Sequence, residues 1–108
     1  MMYVDFTAGG TDYKLRLNVR NLVVLEKQLG CNPLAIFGVN GDNIPTITQM
    51  VAILHTSLQQ YHHNISLNDA YDIFDAYLED NSITDFLPTI IELYRVSGLI
   101  PTGDKEKN

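Results

Sequence analysis

Two patterns of apolar spacing divide the chain. Up to residue 17 the apolar positions alternate with polar ones: "YVDFTA" and "DYKLRLNV" both repeat every second residue, and "GGT" between them supplies a turn. The spacing predicts a β-hairpin over residues 2–18 in which Val4, Phe6, Tyr13, Leu15 and Leu17 share a buried face, while Lys14 and Arg16 point the other way. From residue 19 onward the period becomes helical. Val19, Leu22, Leu25 and Leu29 form a stripe over 19–29, opened by Asn18 as N-cap and stopped by Gly30. Asn32 and Pro33 open a short helical stretch over 33–37. The aperiodic "GVNGDNIP" reads as a mobile loop.

Three longer helices are expected after that loop. Ile47, Met50, Val51, Leu54, Leu58 and Tyr61 lie on one face of a helix over 47–61 capped by Thr46, which should be the central one. Ser66 and Asp69 form a near capping box for 67–80, where Leu67, Ala70, Tyr71, Phe74, Tyr77 and Leu78 make the apolar stripe. Ser82 and Asp85 open 83–97, with Pro88 past the first turn, where it should kink the helix or delay its regular part. Beyond its main stripe, this last helix has a second apolar edge of Leu93 and Val96 that continues into Leu99 and Ile100. That is more apolar circumference than one neighbour needs, so the edge is either core or covered by another chain. The predicted fold is mainly α: an N-terminal β-hairpin followed by a bundle of about four helices, one small α+β domain over 1–100 and a disordered tail over 101–108.

Charge adds an asymmetry. The chain has 108 residues and a net charge of −6, which disfavours nucleic acid as a partner because phosphate contacts need a basic face. Residues 28–94 contain eight carboxylates and no Lys or Arg, a net of −8, so the flanks total +2. A basic entry segment (Lys14, Arg16, Arg20) and an acidic strip (Asp69, Asp72, Asp75, Glu79) make head-to-tail self-association an expectation. On a helix those carboxylates advance by three or four residues opposite the apolar stripe, as a solvated surface does. They lack the loop, the alternate spacing and the glycine of an EF-hand, so no metal site is expected.

Catalytic chemistry finds no support in the residues. His62 and His63 are adjacent and diverge on a helix end, His55 has no i, i+4 metal partner, and Cys31 stands without a neighbouring His. "GVNGD" lacks the Lys and Ser or Thr of a phosphate loop. One cysteine excludes an internal disulfide, and no basic leader or membrane-length apolar run is present, so a cytoplasmic protein without cofactor, metal or membrane partner is expected.

The order of the pieces resembles a known family. A hairpin, then "YKLRLNVRNLVVLEKQLGCNPLAIF", a loop, "PTITQMVAILHTSLQQYHHNISLNDAYDIFDAYLED" and "ITDFLPTIIELYRVSGL" look like the small tail assembly chaperones of long-tailed bacteriophages (siphophages), particularly those of Gram-positive hosts and their prophages. The likeness covers residues 2 to about 100 and rests on helical patterns rather than catalytic signatures. It implies a non-enzymatic, self-associating protein of the bacterial host cytoplasm, absent from the mature virion. Such a protein would bind and solubilise the tape measure protein and recruit tail tube subunits. The resemblance also implies a longer frameshifted form, for which "GDKEKN" is a plausible slip region. On this reading Leu93, Val96, Leu99 and Ile100 are the candidate client-binding residues. A small acidic regulatory or adaptor domain that binds a basic protein is the alternative, and a metal-assisted enzyme using the Asp cluster a third.

Overall fold

The structure, a computed structural model, describes residues 2–101. The expected tail therefore lies outside the described residues, apart from an exposed Pro101. Strands β1 (Val4–Ala8) and β2 (Thr11–Leu15) form an antiparallel hairpin, followed by α1 (Val19–Leu29), a 3-10 turn (Pro33–Phe37), α2 (Ile47–Leu58), α3 (Leu67–Asp80) and α4 (Phe86–Val96). This is the expected architecture of a hairpin and four helices, with differences at element ends.

The hairpin register pairs Val4 with Leu15, Phe6 with Tyr13 and Ala8 with Thr11, leaving Gly9 and Gly10 as a two-residue loop. Both loop residues have positive φ (56° and 78°), the backbone that matches the twist of the strands and that glycine adopts without steric cost. Phe6, Leu15 and Leu17 turn inward as the alternation demands, and Val4 and Tyr13 are half-buried beside them. The outer edge of β2 is capped: the Arg16 N–H donates to Ser57 O at 2.9 Å and the Lys14 N–H to His62 Nε2 at 3.0 Å. A two-stranded sheet is marginal alone, so these bonds and its buried face hold it to α2.

Helix α2 is central, with Met50, Val51, Ile53, Leu54 and Leu58 almost fully buried. It packs between α1 and α3. The apolar stripe assigned to it is trimmed at both ends. Ile47 and Tyr61 are exposed, the helix stops at Leu58, and Gln59 Nε2 bonds Ile65 O at 2.8 Å across the connection to α3. Both capping boxes form: Thr46 with Gln49, and Ser66 with Asp69.

Pro88 resolves its two expected effects in favour of delay. The Asp85, Phe86 and Leu87 N–H groups donate to the carbonyls three residues back, at 3.1, 3.0 and 3.2 Å, and only then does the regular helix begin. Thr84 O, deprived of an N–H at Pro88, takes Leu87's instead, and Pro88 sits in the first turn of α4, where no donor is needed. Ser82 and Asp85 exchange their capping bonds around that preliminary turn. At the other end Leu99 N–H bonds Tyr94 O at 2.9 Å and Gly98 N–H bonds Arg95 O at 3.1 Å, a Schellman motif with Gly98 at φ 87°.

The loop before α2 has no regular element, yet Asn43 ties it down with bonds to Ile36 O (2.7 Å) and Phe37 O (2.9 Å), and Pro45 is buried. The core joins hairpin and helices through aromatic rings. Phe6 stacks on Tyr77 at 4.9 Å, and Phe86 meets Phe6, Phe74 and Tyr77 edge-on at 5.8, 5.2 and 5.7 Å.

Candidate interaction surfaces

The apolar edge of the last helix is the first candidate, and the fold corrects it. Leu93 is 0% exposed and belongs to the core. Leu99 and Ile100 are half-buried and pack against that core, Leu99 because the Schellman geometry folds it back over the end of α4. Val96 is half-buried, and its carbonyl accepts Arg16 Nη1 at 3.1 Å. The four residues lie at one end of the molecule but do not form an open apolar edge.

The charged residues separate into engaged and open ones. Arg16 is engaged: its Nη1 donates to Met2 O at 2.8 Å as well as to Val96 O. Lys14 Nζ lies over the rings of Tyr3 and Tyr61, 4.8 and 5.8 Å from their centroids. Asp69 closes the cap of α3, and the hydrogen bonds it receives from Ser66 hold its carboxyl below the ordinary range. Arg20, Asp72, Asp75 and Glu79 remain exposed, without an ion pair among the described residues. The structure thus keeps the acidic strip but does not gather Lys14, Arg16 and Arg20 into one open basic patch. Among the described residues, no group of three or more His, Cys, Asp and Glu is placed to hold a metal ion. No helix among them is long and apolar enough to cross a membrane.

The histidines have structural surroundings. His62 Nε2 accepts the Lys14 N–H and its ring meets Tyr13 edge-on at 5.4 Å, so its proton is on Nδ1. Burial, then the Lys14 charge, lowers its pKa. Burial lowers His55 as well, and its Nδ1 is buried without a partner among the described residues, as is Asn21 Oδ1. Tyr94 donates to Pro33 O at 2.9 Å, and burial raises its pKa strongly.

Sequence reasoning missed a groove. Its floor is Thr48 and Ala52, one turn apart on α2; Gln28 of α1 stands on one side and Leu67 and Tyr71 of α3 on the other. Its volume of about 230 Å³ lies below the roughly 300–1,000 Å³ of small-molecule pockets, a size that suits inserted side chains better than a metabolite. Leu67 and Tyr71, assigned to the buried stripe of α3, are 41% and 45% exposed at its rim. The signal in the sequence is the pair of small residues at 48 and 52: on a helix between two neighbours, small side chains leave a trough. A second hollow, between the hairpin and the end of α2, is lined by Asp5, Asp12, Tyr13, Lys14, Tyr61 and His62.

Comparison with protein-family models, with curated proteins and with solved structures finds no match.

Proposed function

We propose that this protein is a phage tail assembly chaperone that binds and solubilises the tape measure protein and recruits tail tube subunits, without catalysing a reaction. The reading rests on the element order that carries the family resemblance. The observation that supports it is the amount of apolar side chain left outside a well-filled core: Val19, Val23 and Val24 on α1, Ile47 on α2, Leu67 and Tyr71 on α3. Scattered exposed apolar residues are ordinary, but here Leu67 and Tyr71 stand together at one groove. A groove between helices with an apolar rim suits an amphipathic helix better than a reacting small molecule. The client surface moves accordingly from α4 to the groove formed by α1, α2 and α3.

Co-expression of the tape measure protein with and without this chain tests the reading. A soluble tape measure protein that co-purifies with the chain is the expected result; a tape measure protein equally insoluble in both cases would end it. Asp72, Asp75 and Glu79, without an ion pair among the described residues, favour a second reading, an acidic adaptor for a basic protein. That reading requires a monomer whose partner binding weakens steeply with salt.

A further inference from the structure

We infer that the outer edge of β1 is a docking site for an extended segment of another protein, one that alternates basic and apolar residues and adds antiparallel to the hairpin as a third strand. The inference goes beyond the proposed function: it uses neither the groove nor the acidic strip of α3, and it stands whether or not the chain takes a helical client.

The two edges of the hairpin are unequal. In an antiparallel ladder, opposite residues either exchange both main-chain bonds or turn those groups away from each other. Lys14 and Arg16 turn theirs away from β1, since their N–H groups donate to His62 Nε2 and Ser57 O at 3.0 and 2.9 Å. Asp5 lies opposite Lys14 and Thr7 opposite Asp12, so Asp5 and Thr7 direct their own N–H and C=O groups out of the other edge. Both residues are exposed, and no main-chain group of either has a partner among the described residues. The β2 edge is thus closed by α2, whereas the β1 edge presents donors and acceptors spaced for an extended backbone. It lacks the common blocks: the register runs from Val4 to Ala8 without a bulge, and "VDFTA" holds no proline or lysine.

The chemistry beside the edge selects the occupant. Side chains of an added strand alternate between the two faces of the sheet. Those on the inner face continue the row of Val4, Phe6 and Ala8, where Val4 is half-buried and an apolar neighbour fits. Those on the outer face meet Asp5 and Thr7, with Asp12 one strand further. Lys14, the cation opposite Asp5, keeps its ammonium over the Tyr3 and Tyr61 rings and forms no ion pair among the described residues. Burial and then the Asp85 carboxylate raise the pKa of Tyr77, whose ring stacks on Phe6, so a further negative charge lies on this side of the hairpin. A lysine or arginine opposite Asp5 is therefore favoured. A second copy of β1 is the poorer occupant. The register that pairs Asp5 of each copy with Thr7 of the other sets the two Asp5 carboxylates diagonally on one face, between chains that each carry a net charge of −6.

Amide NMR of the full chain tests this, with a short end-blocked peptide of alternating lysine and valine as the probe. In the free protein the Asp5 and Thr7 amides should exchange rapidly with solvent while those of Phe6 and Tyr13 are protected; saturation with the peptide should protect Asp5 and Thr7. The same peptide N-methylated at its lysine amides keeps its charge and loses its donors, and should bind at least about tenfold more weakly. A peptide with glutamate in place of lysine should do the same. Thr7→Pro removes an N–H that points away from β2, so the hairpin is retained and affinity for the parent peptide should fall about tenfold. The N-methylated peptide carries the comparison if that variant does not fold. Asp5 and Thr7 amides already protected in the dilute free chain, a parent peptide that leaves them unprotected, or binding that survives N-methylation or the exchange of lysine for glutamate would each overturn the inference. Protection that grows with protein concentration in the absence of peptide would assign the edge to a second copy and overturn it equally. The co-expression result for the tape measure protein is independent of all these outcomes.

Discussion

Helices α3 and α4 carry apolar stripes of comparable width, and the fold uses them in opposite ways. On α4 the surplus edge goes inside. Leu93 is fully buried, Tyr94 reaches Pro33 with its hydroxyl and Phe37 with its ring at 6.3 Å, and the Schellman turn brings Leu99 back onto the core. On α3 the stripe is only partly covered: Ala70, Phe74 and Tyr77 are buried, whereas Leu67 and Tyr71 remain outside. Burial of a helical stripe depends on where its neighbours sit, not on its width. α4 closes against the hairpin and, through Tyr94, the 3-10 turn, while α3, packed on α2 and β1, keeps a flank beside α2 open as the groove.

The contrast is sharpest in paired substitutions. Leu93→Ala should cost about 2–5 kcal/mol, as a large-to-small change in a closed core does, and Tyr71→Ala should stay within about 0.5 kcal/mol. Urea denaturation measures both, and equal costs would abolish the distinction. Next in size is Gly98→Ala. The backbone there is left-handed and free of neighbouring atoms, so the loss should be about 1–2 kcal/mol, from conformation alone. A neutral result would mean that the turn anchoring Leu99 does not hold α4's edge down. Ser66→Ala removes the side chain that accepts the Asp69 N–H at 3.1 Å, and should lower the thermal midpoint by an amount equivalent to about 1 kcal/mol.

The smallest effect is a pH dependence away from both helices. His55 and His62 have folded pKa values below the ordinary 6.5, so the unfolded chain binds more protons. Their contribution to stability is complete above pH 6.5 and is lost as the pH falls from there through the folded values. Asp5, Asp12, Tyr13, Lys14, Tyr61 and His63 line the hollows around His62. A fall in the urea midpoint between about pH 7.5 and about pH 5 is expected. His62→Gln should make it shallower by removing one titrating group. A midpoint that rises on acidification would contradict the Lys14–His62 hydrogen bond.

How legible each element was depended on where its cause lies. Period-two and helical spacing, together with Asn18, Thr46, Ser66 and the glycine stops, act within a few residues, and they located the hairpin, α1, the 3-10 turn, α2 and α3. The start of α4 was partly legible: Pro88 announced a kink or a delay, and three consecutive bonds to carbonyls three residues back decide for delay and set its length. Coverage was not legible. Leu93, Leu67 and Tyr71 all read as members of apolar stripes, and only the packing of distant elements shows which stripe is closed. The charged residues failed for a similar reason. Arg16 reads as an open cation until the fold brings Met2 and Val96 carbonyls to its guanidinium. The groove follows from Thr48 and Ala52 being small, a feature that stripe counting on large residues passes over.

Amide hydrogen exchange of the full chain, free and bound to the tape measure protein, tests the central claim most directly, because it reads both helices in one experiment. The account predicts added protection around the groove, in α1 near Gln28 and in the first half of α3 around Tyr71, when the client is bound, with α4 unchanged. Added protection confined to α4 and the segment through Ile100, with α1 and α3 unaffected, would contradict it and return the interaction surface to the last helix.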